Sequence, residues 1–178
     1  MFDEVLRFWF LEAKRSAWWT VDPELDAFIA QRFGALLRNA ERCELYDWRA
    51  EPRGRLAEII LLDQFSRNVY RATPKCFSND PMALALAQEA VAGGHDQVLE
   101  TDERAFLYMP YMHSESAIIH LQAERLFASL GPGDSYDSEL RHKAIIERFG
   151  RYPHRNELLG RQSTAEELGF LREPGSRF

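Results

Sequence analysis

The sequence predicts an all-α fold, arranged as a single domain over residues 1–178. Three observations carry this. Apolar residues recur at three- and four-residue spacing in one segment after another. No segment keeps the apolar–polar alternation of a half-buried strand. Between the periodic segments stand proline, glycine and Asp/Asn/Ser/Thr groups of the kind that start and stop helices.

Phe2 to Leu11 carries Val5, Leu6, Trp9 and Phe10 at helical spacing. Asp22-Pro23-Glu24 starts a second helix: a capping carboxylate, a proline in the first turn, then an acid near the positive dipole end. Leu25, Phe28, Ile29, Phe33, Leu36 and Leu37 form its apolar face. Asp47 to Gly54 reads as a loop. Arg55 to Tyr70 is the next helix, apolar on nearly all sides in its first half, which places it at the centre of the core. Thr73-Pro74 ends it. Asn79-Asp80-Pro81 caps a helix over Met82–Ala92 that stops at Gly93-Gly94. A further helix begins at Asp102, and Pro110 is expected to kink or divide it. The pattern resumes through Ile118 to Phe127 and ends at Gly131-Pro132-Gly133. Ser138 to Phe149 is helical, and a short turn follows Pro153. Ser163 with Glu166, or Thr164 with Glu167, forms a capping box for a last helix to Leu171. Pro174-Gly175 closes the chain. Successive helices with short connections suit a stack of antiparallel helix pairs, although the spacing signature of a tetratricopeptide unit is not readable.

Composition narrows the function. The chain is 46% hydrophobic and 28% charged, enough apolar material for a sizeable core, and its net charge of -6 argues against a nucleic-acid binder. Cys43 and Cys76 form no metal or redox motif and no disulfide framework, so a cytoplasmic location is expected. The N-terminus does not resemble a signal peptide, and no apolar run is long enough to span a bilayer, so no membrane partner is expected.

Charge is uneven, however. Between Arg141 and Arg161 stand six Arg or Lys residues against Glu147 and Glu157. Arg148-Phe-Gly-Arg-Tyr-Pro-His-Arg-Asn156 sets Arg148, Arg151, His154, Arg155 and Asn156 at a helix–helix corner. Guanidinium forks and free helix N–H groups suit carboxylates and phosphates. The competing reading is a solvated corner that only sets an interhelical angle. A second polar group lies on Asp63-Gln64-Phe-Ser-Arg67-Asn68-Val-Tyr-Arg71. Asp63, Gln64, Arg67, Asn68 and Arg71 fall in a helical arc of roughly 140°. Such an arc at the end of a buried helix faces either water or an internal polar site.

Other constellations are weaker. His113, Ala117, His120 and Glu124 share a stripe on a continuous helix and would offer two imidazoles and a carboxylate to a metal, but a hydrogen-bonded core histidine is the commoner use. Glu139-Leu-Arg-His142 is a single Glu-x-x-His where helical di-iron sites need two. No metal and no cofactor is therefore expected. Phosphate-loop, dinucleotide and serine-nucleophile motifs are absent from the sequence. Trp18-Trp19 reads as a core plug for the first loop, or alternatively as a stacking wall for a ligand.

Several long stretches carry a family resemblance. They are Ile59-Ile-Leu-Leu-Asp-Gln-Phe-Ser-Arg-Asn68, Phe106-Leu-Tyr-Met-Pro-Tyr-Met-His-Ser-Glu115, Ile145 to Asn156, Leu159-Gly-Arg161, Ser163 to Glu167 and Pro174-Gly-Ser-Arg-Phe178. With them the chain resembles the bacterial family DUF924, a domain of unknown function. The resemblance implies a right-handed superhelix of antiparallel helix pairs, similar to tetratricopeptide folds, and no established activity or catalytic residue. The chain departs from the family pattern at Ser66, where proline is common, and at Ala72, where glycine is common. Both bear on how the chain leaves the central helix near Arg71.

The expectation is a concave site collecting Asp63, Gln64, Arg67, Asn68, Arg71, His142, Arg151, Arg155 and Asn156, with Trp18 or Trp19 as a wall. It would bind an anionic small molecule or a peptide carboxylate. One alternative is an enzyme with His113 or His154 as general base and Glu115 as partner. Another is a ligand-free protein-interaction module whose polar residues are consumed by ion pairs and caps.

Overall fold

In a computed structural model, which describes residues 1–176, every regular element among the described residues is helical. Arg177 and Phe178, the end of the terminal motif, lie outside the described residues. The principal elements are α1 (Phe2–Arg7), α2 (Pro23–Glu41), α3 (Pro52–Ile60), α4 (Ser66–Val69), α5 (Asp80–Ala92), α6 (Thr101–Met112), α7 (Ala117–Ala128), α8 (Asp134–Phe149) and α9 (Ala165–Phe170). No helix among the described residues is long and apolar enough to cross a membrane.

The start signals act largely as read. Asp22 Oδ1 accepts from the backbone N–H of Glu24 at 2.9 Å and of Leu25 at 3.2 Å, which satisfies two orphan donors of α2. Of the two candidate capping boxes, Thr164 with Glu167 forms: Thr164 N–H donates to Glu167 Oε2 at 2.7 Å and Glu167 N–H to Thr164 Oγ1 at 3.2 Å. Asn79 stands at the N-cap of α5, where its carbonyl accepts from Ala83 N–H at 2.9 Å, but its side chain does not cap the helix; its amide donates to Ser66 Oγ at 3.0 Å instead.

Three boundaries differ from the sequence reading. Asp47–Gly54 is not a plain loop: residues Tyr46–Ala50 form a 3₁₀ turn and α3 starts at Pro52, with proline in its preferred first-turn position. Gly54 is obligatory there, because a Cβ would sit 2.1 Å from the Trp48 carbonyl oxygen. Pro110 does not divide its helix. α6 runs through it to Met112, and the chain breaks over residues 113–116. α8 begins at Asp134, a turn earlier than expected.

The central helix is α3, a π turn (Leu61–Phe65) and α4 in continuous succession. Leu56, Ile59, Ile60, Leu61, Leu62 and Phe65 are fully buried, each contributing about 1.5–3 kcal/mol of apolar burial. α1, α2, α5 and α6 all pack on this central column. An aromatic cluster ties them together: Phe8–Phe33 at 5.0 Å, Phe33–Phe65 at 5.1 Å, Trp9–Phe65 at 5.4 Å and Trp9–Phe106 at 5.5 Å between ring centres. From α5 to α8 each helix packs on the next, whereas in the first half α1 packs on α3 and α2 on α4. A smaller cluster of Ile145, Ile146 and Tyr152, with Phe149 and Phe170 against it, joins α8 to α9.

Candidate functional site

The π turn supplies the first site residue. π turns are rare and recur at functional sites because the extra residue per turn redirects side chains. Asp63 lies in it, fully buried. Its Oδ1 meets His113 Nδ1 at 2.7 Å and Arg67 at 3.2 Å, and the Gln64 amide donates to Oδ2. Burial alone would push the Asp63 carboxyl up. The charge of Arg67, that of His113 when acid protonates it, and the bonds from His113 and Gln64 outweigh it and hold Asp63 below the usual carboxylate range.

Arg67, the next residue on this face, donates to the Asp63 carbonyl at 2.7 Å and grips Asp80 with both Nη atoms at 3.0 Å. Asp80 opens α5, and it also accepts Arg155 Nη1 at 3.1 Å. One carboxylate therefore joins the 63–71 helix to the 151–156 corner. Arg155 is buried between two rings, its guanidinium carbon 4.5 Å from the Phe77 centre and 4.7 Å from that of Tyr152. Burial and the nearby Arg67 push its pKa down.

His113 caps the end of α6, partly exposed, and lines an open cleft of about 560 Å³. Phe77, Pro81, Leu84, Pro110 and Leu159 form its apolar wall; Asp80, His113, Ser114, Glu115 and Arg155 form its polar end. Asp63 is ionised and accepts the Nδ1 proton, so the free lone pair of His113 is on Nε2. Nε2 makes no hydrogen bond among the described residues and is not sealed from solvent. Desolvation and Arg67 lower the His113 pKa against the opposing pull of Asp63, so the ring is neutral at pH 7.

The expected site is thus brought together in part. Asp63, Gln64, Arg67 and Arg155 converge with His113, and Glu115 lines the same cleft. His113 and Glu115 are not bonded to each other: Glu115 takes Arg161 through both oxygens (2.6 and 2.9 Å) and the Tyr152 N–H at 2.7 Å. Arg161 holds the Glu115 carboxyl low despite its burial. Asn68 and Arg71 turn to the other side of the arc and bind Asp26 of α2. Arg151 pairs with Glu167 at 2.6 and 2.8 Å, and Asn156 donates to Ser163 Oγ at 3.0 Å, which ties the corner to α9 and not to the cleft. His142 and His154 pack against Tyr152, each with ring centres 5.7 Å from it. Trp18 packs edge-on against Phe106 at 4.9 Å and donates to the Trp9 carbonyl at 3.0 Å, as a plug for the first loop; Trp19 is 64% exposed and stacks outside it. Neither lines the cleft.

The metal stripe does not exist as drawn, because the break at residues 113–116 puts His113 and His120 on different helices. No group of three or more His, Cys, Asp or Glu side chains is arranged for a metal ion among the described residues. Asp80 at the cleft, Tyr152 bonded to Glu115 beside it, and Asp26, which takes Asn68 and Arg71 away from it, are the partners that sequence reasoning missed. Asp80 and Asp26 each sit in a helical first turn, where an acid already has a local role at the dipole. Nothing in the sequence marks Tyr152 as polar machinery.

No curated protein matches the chain significantly. Its fold is similar to the solved structure of the protein of unknown function ATU0120 from Agrobacterium tumefaciens, with a TM-score of 0.92, 37% identity and 96% of each chain covered. The family model described as bacterial protein of unknown function (DUF924) matches residues 5–175. The chain belongs to the DUF924 family.

Proposed function

We propose that the protein binds a small molecule in the cleft between the start of α5 and the end of α6, and that His113 accepts a proton from it. The observation that carries this reading is the Asp63–His113 pair: a buried, ionised carboxylate 2.7 Å from Nδ1 leaves Nε2 as the cleft's available base. This is the orienting arrangement of a general base, with Asp63 as the partner in place of Glu115. A cleft of about 560 Å³ is of small-molecule size. Its wall chemistry suits a ligand with an apolar body and one proton-bearing head, such as a phenol.

An anionic ligand is the second reading. Arg67, Arg71 and Arg151 are each matched by a carboxylate, so only the Arg155 region favours it, where two guanidiniums share Asp80. The superhelix of antiparallel pairs remains part of the proposal. Its support is the sequential packing of α5 to α8, with the cleft on one edge of that stack.

Titration of isotope-labelled protein with 4-methylphenol and with inorganic phosphate tests both readings. The first predicts that 4-methylphenol perturbs His113 and its cleft neighbours, and that His113→Ala abolishes the effect. Saturation by phosphate alone, lost in Arg155→Gln, would favour the second. Perturbations confined to other surfaces would overturn both.

A further inference from the structure

Below the cleft lies a second histidine–carboxylate pair that proton acceptance at His113 does not use. His120 and Glu139 are both fully buried, with His120 Nδ1 2.7 Å from Glu139 Oε1. The same neighbourhood holds the chain segment that carries His113. The last carbonyls of a helix have no intrahelical partner, and α6 ends without a glycine cap. Three consecutive carbonyls at and just beyond its end are taken by three separate side chains. Met112 O accepts the Tyr152 hydroxyl at 2.5 Å, His113 O accepts Arg155 Nη2 at 3.0 Å, and Ser114 O accepts His120 Nε2 at 2.9 Å.

The protons of this network can be placed by bonding alone. Tyr152 gives its single hydroxyl proton to Met112 O, so towards His120 Nε2, 3.2 Å away, it is an acceptor. Ser114 O is an acceptor too. His120 Nε2 therefore carries a proton. Nδ1 then either carries a second proton, with Glu139 ionised, or accepts one from Glu139. Glu139 Oε2 is buried and meets no donor among the described residues. An ionised carboxylate would leave that oxygen without solvent or hydrogen bond, whereas a carboxylic acid leaves only a carbonyl there. Lys143 and Glu124 are the further charges that act on Glu139, and they oppose each other; burial is the larger influence and raises its carboxyl.

We propose that His120 and Glu139, joined as neutral imidazole and carboxylic acid, are positioning residues for His113, acting with Tyr152 and Arg155 by fixing the carbonyls of residues 112–114. This rests on reading His113 as the acting base. The clamp sets the ring at the mouth of the cleft, against Asp63, where its pKa is lowered. Releasing Ser114 O lets the 113–116 segment move and the ring reach water.

The test reads the His113 ring by nitrogen NMR without any ligand, together with the Glu139 side-chain carbon. In the wild type, Glu139 shows the carboxylic-acid shift at pH 7. Glu139→Gln replaces the acid by an amide N–H that donates to Nδ1 in the same way, and the His113 titration stays where it was. His120→Phe keeps the volume but loses the donor to Ser114 O, and the His113 midpoint rises towards the ordinary value near 6.5. Tyr152→Phe, which loses the donor to Met112 O, moves it in the same direction and serves if His120→Phe does not fold. An ionised Glu139 signal, or loss of folding in Glu139→Gln, would overturn the neutral pair. Folded His120→Phe and Tyr152→Phe proteins with an unmoved His113 midpoint would overturn the positioning role. A wild-type His113 that already titrates at the ordinary value contradicts the cleft reading itself, and so is told apart from failure of the clamp.

Discussion

At the scale of single residues, the arginines explain both what the sequence disclosed and what it concealed. Arg67 and Arg155 were legible as members of one site because planar, multi-donor side chains gather where hydrogen-bond geometry matters. Their partners were not. Asp80 lies thirteen residues from Arg67 and seventy-five from Arg155, and its bonds exist only once α5 is docked. A donor-rich stretch therefore reads as an empty anion site when its counter-charges come from elsewhere in the chain. His113 shows the converse. Sequence proximity suggested Glu115 as its partner, but at the end of α6 the two side chains diverge, and Asp63, fifty residues away, takes the ring.

Element by element, legibility follows the strength of local signals. Asp22-Pro23 and the Thr164–Glu167 box were readable because the chemistry that starts these helices is contained within four residues. The π turn was not, since its cause is tertiary: the central helix must satisfy Asp63 on one side and an apolar core around the rest. The end of that helix carries a departure from the family that now has a physical meaning. Ala72, where glycine is common, adopts φ +60°, the left-handed region that costs an L-residue about 1–2 kcal/mol. Ala72→Gly removes that cost and gives back part of it as unfolded-chain entropy. The net expectation is a gain of about 0.5–1 kcal/mol, read as a higher urea midpoint; a lower midpoint would show that the methyl group has a packing role there. Ser66, where proline is common, follows the π turn directly; its backbone N–H donates to Leu61 O, a bond proline could not make, and its buried hydroxyl accepts from Asn79.

For the whole molecule, the buried histidines set the response to acid. Burial is the first cause that lowers His142 to about 3 and His154 to about 4, and His113 is lowered as well, all from an unfolded value of 6.5. A group depressed in the fold binds its proton more readily in the unfolded chain. Its stabilising contribution is full above the unfolded pKa and is lost as pH falls towards the folded one. Stability is thus expected to decline from about pH 6.5 downwards, before the carboxylates held low, Glu115 and Glu167, begin to titrate. Thermal melts between pH 4 and 8 check this; a melting temperature that is flat from pH 7 to 5 contradicts it. The same histidines surround the segment that carries the candidate base, so stability and site share one region. The all-helical character and the polar segments could be read from the sequence, but their meeting at a single cleft depends on the packing of α5 and α6 on the central column.

The most direct measurement is the nitrogen spectrum of the His113 ring as a function of pH in the wild type and in Asp63→Asn. A neutral ring at pH 7 with its proton on Nδ1, a midpoint below the ordinary histidine value, and loss of that single tautomer in Asp63→Asn are the predicted results. A ring that carries its proton on Nε2, or one indifferent to Asp63→Asn, would contradict the account.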